Sequence, residues 1–167
     1  MGVTFNFNSG AGADDIQAYL EKEAKKHMQR VKTALQLVGE EVVNGIRSGA
    51  LSNWNDHTGN LRSSIGYVVA IDGTPVLESP FEQVAGPENE GATANGGEEG
   101  RAYARSIASL YPEGISLVVV AGMEYASYVE ALENKTVLAQ GEIEARRLVR
   151  EMIAELEKRY NSTGDDD

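Results

Sequence analysis

Apolar residues recur every three or four positions between residues 16 and 46, and this repeat restricts the fold more than any other feature of the chain. A helix that begins near Asp14 or Asp15, whose carboxylates suit a helix N-terminus, accounts for the segment. The spacing places the apolar side chains on one face of about nine helical turns. The repeat consists of Ile16, Leu20, Ala24, His27 or Met28, Val31, Leu35, Val38, Val42 and Ile46.

Two segments in the middle of the chain have the pattern of β-strands. From Leu61 to Ile71, apolar side chains occupy alternate positions, which is typical of a strand with one buried face. Asp72-Gly73 then provides a hairpin turn, and a weaker return strand follows over Thr74–Phe81, whose two prolines suit an edge or a bulge. The β-branched run Ile115–Ala121 predicts a further strand in the centre of the sheet.

A second amphipathic repeat, from about residue 138 to residue 160, completes the expected architecture. A chain of 167 residues is long enough for one domain with its own hydrophobic core. We therefore expect one α+β domain over residues 14–160, in which a long N-terminal helix and a C-terminal helix pack on a mostly antiparallel β-sheet. Residues 1–13 are expected to form a flexible arm, and residues 161–167 a disordered acidic tail.

The net charge of −11 is concentrated in two places. Residues 72–100 contain seven acidic residues and no Lys or Arg, and the chain ends in three aspartates. Residues from about 84 to 104 are also rich in Gly and Ala, which predicts a long mobile acidic loop. For the adjoining residues 101–110, a short helix and a strand both remain open. Because the charge is acidic, we do not expect the protein to bind DNA phosphates nonspecifically.

The sequence lacks the residue patterns of catalytic, metal or cofactor sites. The chain has no cysteine and only two histidines, His27 and His57, neither with the spacing of metal ligands. His57 lies near Asp56 and Ser63, but no Gly-x-Ser-x-Gly motif supports a hydrolase. The acidic segment has neither the spacing of a calcium loop nor the context of a phosphate-binding loop. We therefore expect a protein that is not an enzyme and holds no cofactor.

The sequence also bears on the location of the protein. No stretch approaches the roughly 18 apolar residues of a membrane-spanning helix. The first residues lack the basic start and apolar stretch of a secretory signal. We therefore expect the protein to be made in the cytoplasm and to stay clear of membranes.

Two short strings border the predicted strands. Thr58–Ile65 (TGNLRSSI) is a turn that leads into a strand, and Tyr125–Glu130 (YASYVE) lies between a strand and the last helix. They resemble the Thr-Gly-x-Leu-x-x-Ser-Ile and Tyr-Ala-x-Tyr-Val-Glu strings of the neck or tail-completion proteins of long-tailed bacteriophages, a family of minor tail proteins that join head and tail. Their order and flanking helices agree over roughly residues 16–160.

The resemblance implies a structural virion protein made in the cytoplasm of a bacterial host. It would form a ring, expected to be hexameric, that completes the tail and meets the head connector. Its partners would be further copies of itself and other neck, connector and tail proteins. DNA would pass through the ring without specific binding, helped by the acidic loop if that loop faces the channel. The interface or fold residues would be Thr58, Gly59, Leu61, Arg62, Ile65, Tyr125, Tyr128 and Glu130.

The residue types of these strings fit assembly, but other interpretations remain open. We expect Leu61 and Ile65 to face the core and Arg62 to point to the other side. Tyrosines packed on one side and hydrogen-bonded on the other suit an interface. The strings also fit ordinary turns that anchor a core. A different function is an acidic DNA mimic or inhibitor that binds a basic protein, which the acid-only segment suggests.

Overall fold

The computed structural model describes residues 11–52, 58–86, 95–122 and 137–162. The chain divides into two units, residues 1–33 and residues 34–167, with the boundary inside the first helix. The α+β class is confirmed. The elements in chain order are α1 (Ala11–Ser48), α2 (Asn60–Ser64), β1 (Ile65–Ile71), β2 (Thr74–Glu78), α3 (Gly96–Ala108), β3 (Ile115–Ala121) and α4 (Ala139–Ser162).

The three strands form one antiparallel sheet in the order β2-β1-β3. Asp72 and Gly73, with φ of 49° and 75°, form the expected tight turn between β1 and β2. Pro75 pairs with Ala70 next to a register irregularity, as expected for a proline at an edge or a bulge. The expectation that β3 is central is wrong for the described residues, because β1 lies between the other two strands. β-branched side chains favour a strand whose faces pack against other elements, and they do not require a partner strand on both sides.

Helices of the second unit pack on each face of the sheet. On one face, α3 packs against β1 and β3 in a buried cluster that contains Val68, Ala70, Ala104, Ala108, Val118 and Val120 together with Phe81. On the other face, the hydroxyl of Tyr67 donates to Glu40 of α1 at 3.3 Å. The buried hydrophobic side chains of α1 are those of Leu35, Val38, Val42, Val43 and Ile46. The predicted apolar repeat of α1 therefore becomes core from Leu35 onward.

A helix replaces the second half of the predicted acidic loop. α3 begins at Gly96, so the loop prediction is wrong for residues 96–104, and the open choice for residues 101–108 is settled as helix. Asn95 caps the helix by accepting a hydrogen bond from the backbone N–H of Glu98, and the acids Glu98 and Glu99 lie in the first turn, where the helix dipole favours them. Residues 87–94 lie outside the described residues.

The helix α2 was also not expected. The strand pattern begins at Leu61, but Asn60–Ser64 form one helical turn, and β1 begins only at Ile65. Leu61 and Ile65 are four residues apart, so one helical turn buries both as well as a strand would. Alternation alone did not distinguish these two structures.

The ends of the long helices differ slightly from the prediction. α1 begins at Ala11, inside the predicted arm of residues 1–13, and α4 ends at Ser162, inside the predicted tail. Residues 1–10 and 163–167 lie outside the described residues. None of the helices in the described ranges combines the length and the apolar character that crossing a membrane would require.

Candidate functional site

The Thr58–Ile65 string starts with a turn that is held against the chain after β2. Gly59 has φ 83°, and its Cα faces the carbonyl oxygen of Val84 and the backbone nitrogen of Gly86. The backbone N–H of Gly86 donates to the carbonyl of Thr58 at 3.2 Å. The Thr58 hydroxyl accepts from the backbone N–H of Asn60 at 3.3 Å. The first two residues of the string therefore fix where α2 begins.

Ser63 joins α2 to the same segment from inside the protein. Its hydroxyl is fully buried, donates to the carbonyl of Gly59 at 2.6 Å and accepts from the backbone N–H of Val84 at 2.7 Å. The hydroxyl of Ser64, also fully buried, donates to the carbonyl of Leu61 at 2.8 Å. Both serines satisfy buried polar atoms that water does not reach. From the sequence, these serines were considered only for a hydrolase with His57 and Asp56, although a Ser-Ser pair in front of a buried strand was a visible signal of a structural role.

The string also contacts α3. The side-chain nitrogen of Gln83 donates to the side-chain oxygen of Asn60 at 3.2 Å, and its oxygen accepts from the backbone N–H of Gly97 at 3.5 Å. Gly100 is buried against the backbone of Ser64. The string is thus the place where α2, the segment after β2 and the beginning of α3 meet.

The apolar residues of the string lie in the core, as expected. Leu61 is 2% exposed, and Ile65 is fully buried. The charges of Glu82 and Arg62 act electrostatically on Arg47 of α1. The Nη2 of Arg47 donates to the carbonyl of Ser63 at 3.5 Å. Burial lowers the pKa of Arg47 below its usual value, the positive charge of Arg62 lowers it further, and Glu82 opposes the change.

Arg62 therefore does not point to open solvent. Its side chain is half-buried, and its charge acts on the guanidinium of Arg47. Two guanidinium groups that act on each other are stable in a partly buried position only when anionic or polar groups surround them.

Tyr125, Tyr128 and Glu130 of the second string lie outside the described residues. The expected role of that string stays a prediction.

An apolar cleft of about 580 Å³ lies within the second unit, between α4, β3 and the end of α1. Its wall contains Ile46, Leu117, Val119, Leu138 and Val149, while Arg146, Arg150 and Glu142 contribute charged groups. The sequence did not predict this cleft, because it arises where α4 approaches α1 at Gly141 and leaves β3 partly uncovered.

The first unit carries a different kind of apolar surface. Leu20 is 61% exposed, and Ile16 and Met28 are 40% and 41% exposed on the same helix. His27, which was expected to border the apolar face, is exposed as well. These residues continue the repeat that becomes core from Leu35 onward. An amphipathic helix with this much exposed apolar surface is typical of a contact between proteins.

The described residues contain no group of three or more His, Cys, Asp or Glu side chains placed to hold a metal ion. His57, the histidine considered for a hydrolase, lies outside these residues. Comparison of the chain with protein-family models, with curated proteins and with solved structures finds no match.

Proposed function

We propose that this chain is a structural virion protein of a tailed bacteriophage, a neck or tail-completion component that joins the tail to the head connector. The observation that carries the proposal is the position of the Thr58–Ile65 string. The string has the residues of the phage family and lies at the junction of α2, α3 and the strand that it precedes. A protein that works by assembly needs such a rigid junction more than it needs a reactive group.

An acidic chain is compatible with the ring around DNA that the resemblance implies. A closed ring requires two different, complementary surfaces on each subunit. If acidic side chains face its channel, they repel the DNA phosphates and let DNA slide through. Some acids of the acid-only segment have local contacts instead, since Glu78 forms an ion pair with Arg105, and Glu98 and Glu99 lie at the start of α3. The channel hypothesis therefore depends on the remaining acids.

The same contacts bear on the alternative, an acidic DNA mimic. A mimic presents a row of unpaired acids to a basic partner, and its affinity falls steeply with salt. The Glu78–Arg105 pair and the helical start of α3 interrupt such a row. We therefore favour the assembly function, and the experiments below separate the two.

Electron microscopy of the purified protein tests the ring directly. Negative-stain images at high protein concentration, classified by symmetry, are expected to show rings with a central hole. Single small particles under all conditions, together with tight binding to a basic nuclease or repressor that weakens with salt, would instead support the mimic. A control image series of the protein unfolded in denaturant excludes stain artefacts.

Assembly on a template is the second test. A neck protein is expected to bind purified tail tubes or connectors and to leave their other ends bare. The binding is measured by cosedimentation and by labelling the protein with gold in the same micrographs. Binding along the whole tube, or none to either structure, contradicts the proposed location.

A further inference from the structure

The charged residues of the first half of α1 are separated into two blocks along the helix axis. Residues 14–23 contain four acids and one base, Asp14, Asp15, Glu21, Glu23 and Lys22. Residues 24–32 contain four bases and no acid, namely Lys25, Lys26, Arg30 and Lys32. One end of this helical segment is therefore negative and the other is positive.

The exposed apolar residues of the same segment span both blocks. Ile16 and Leu20 lie in the acidic block, and Met28 lies in the basic block. Ala24 is an exposed small residue midway between Leu20 and Met28. All four lie on the face defined by the three-to-four repeat. The segment thus offers a continuous apolar face from Ile16 to Met28, about 18 Å long at roughly 1.5 Å per residue.

We propose that this segment of α1 packs antiparallel against the same segment of a second copy. With Ala24 at the crossing point, Leu20 of one copy lies opposite Met28 of the other, because each is four residues from Ala24. The small side chain of Ala24 lets the two helices approach closely. The acidic block of each copy then lies along the basic block of the other, which favours the pairing electrostatically.

Charge determines the direction of this pairing. In a parallel pair, the two acidic blocks would lie side by side, and so would the two basic blocks, so both ends would repel. A helix that lies on an anionic membrane carries its bases along the whole polar face. Here an acidic block occupies half of the segment, which favours a partner helix with the opposite charge order. The same segment of a second copy is such a helix.

This contact is symmetric and closes with two copies. It is independent of the proposed neck function, since a ring needs contacts between unlike surfaces. A protein that fails to form rings can still pair through α1, and a ring can form from subunits that do not. The two proposals are therefore tested separately.

Charge reversal of one block at a time tests the pairing. The variant Lys25→Glu/Lys26→Glu removes the net positive charge of the basic block, because Arg30 and Lys32 then balance the two new carboxylates. The variant Glu21→Lys/Glu23→Lys changes the net charge of the acidic block from −3 to +1. Sedimentation equilibrium is expected to show a concentration-dependent dimer for the wild type and at least about tenfold weaker self-association for each variant. An equimolar mixture of the two variants is expected to restore the dimer, because the unchanged acidic block of the first variant then lies along the unchanged basic block of the second.

The control reverses charges elsewhere on an exposed helix. Lys158→Glu/Arg159→Glu on α4 changes the net charge by the same amount as the first variant and is expected to leave self-association unchanged. Circular dichroism verifies that every variant keeps its helix content. A wild type that is monomeric up to about 500 µM, or a mixture that stays monomeric, overturns the proposal.

Single cysteines test the direction, since the natural chain has none. Ala24→Cys is expected to be joined to its own counterpart in the dimer by a short thiol-specific cross-linker. Gln17→Cys is not, because the antiparallel arrangement separates the two copies of residue 17. Efficient cross-linking of Gln17→Cys to itself would show a parallel pair and contradict the charge argument.

Discussion

The Cα of Gly59 lies so close to the backbone carbonyl oxygen of Val84 that a Cβ atom at residue 59 would overlap this oxygen. The φ of 83° adds a second requirement, because it lies in the left-handed region that side chains disfavour. One residue therefore combines an unusual backbone angle with a contact that tolerates no side chain. This relationship makes Gly59 the most constrained position in the Thr58–Ile65 string.

We predict that Gly59→Ala destabilises the protein by more than about 3 kcal/mol. The left-handed backbone accounts for about 1–2 kcal/mol, and displacement of the Val84 segment accounts for the rest. The matched control is Gly114→Ala, where φ is 78° but no atom would lie within 4 Å of the new Cβ. Its expected loss is about 1 kcal/mol. Denaturant unfolding measures both, and equal losses would contradict the steric argument.

Ser63→Ala is expected to destabilise the fold by about 1–3 kcal/mol, because the part-buried N–H of Val84 loses its acceptor and the carbonyl of Gly59 loses a donor. Ser106→Ala serves as the control, since the Ser106 hydroxyl is exposed and donates only to the nearby carbonyl of Tyr103. Its effect should stay within about 0.5 kcal/mol. If thermal and denaturant unfolding show similar losses for the two variants, the hydrogen bonds of Ser63 do not hold the string in place.

The raised pKa of the Tyr67 hydroxyl predicts that the protein loses stability at alkaline pH. Burial, together with the charge and the hydrogen bond of the neighbouring Glu40 carboxylate, raises the pKa of Tyr67 to about 12. The unfolded chain releases this proton near pH 10. The folded state binds the proton more tightly, so the stabilisation is complete below about pH 10 and is lost as the pH rises towards 12.

The free energy of unfolding, measured from pH 8 to pH 12, is expected to fall about 1–2 kcal/mol more in the wild type than in Tyr67→Phe. Tyr111→Phe is the control, because Tyr111 is exposed and its replacement should leave the pH profile unchanged. Parallel profiles for the wild type and Tyr67→Phe would show that the phenol of Tyr67 titrates alike in both states.

Arg62 and Glu130 are predicted to contribute to the fold or to subunit contacts. Reversal of both charges, Arg62→Glu with Glu130→Arg, is expected to lower stability or to abolish ring assembly. The matched control reverses the exposed pair of Glu142 and Arg146 on α4, which is worth only a few tenths of a kcal/mol. Calorimetry and negative-stain imaging follow the two effects, and a double reversal without consequence would exclude both roles.

The sequence predicted elements with a long or regular pattern and missed those that depend on distant contacts. The three-to-four apolar repeats predicted α1 and α4, and Asp72-Gly73 predicted the hairpin. These signals depend only on residues that are close together in the chain. The first turns of α3 were missed because Gly96, Gly97 and Gly100 are poor helix formers, whereas for residues 101–110 a helix was one of the two structures left open. The helix is stable because the glycines allow close contact with α2 and Phe81, which the sequence does not show.

The candidate site was predicted in part for the same reason. Leu61 and Ile65 were recognisable as core residues from their spacing. The role of Ser63 depends on Val84, which is 21 residues away in the chain. The position of Arg62 beside Arg47 depends on where α1 ends relative to α2. Such relations follow from tertiary packing, so a single sequence does not reveal them.

The two edge strands of the β-sheet differ in how well they could pair with a further strand. β2 is interrupted at Pro75, which has no N–H to offer, and by the irregular register beside it. β3 runs for seven residues without a proline or a charge, and within the described residues it has a strand on one side only. Within the described residues, the side of β3 that faces away from β1 therefore offers a longer uninterrupted row of backbone donors and acceptors than the β2 edge does. A strand from another molecule would pair more readily with β3 than with β2, where Pro75 interrupts the row.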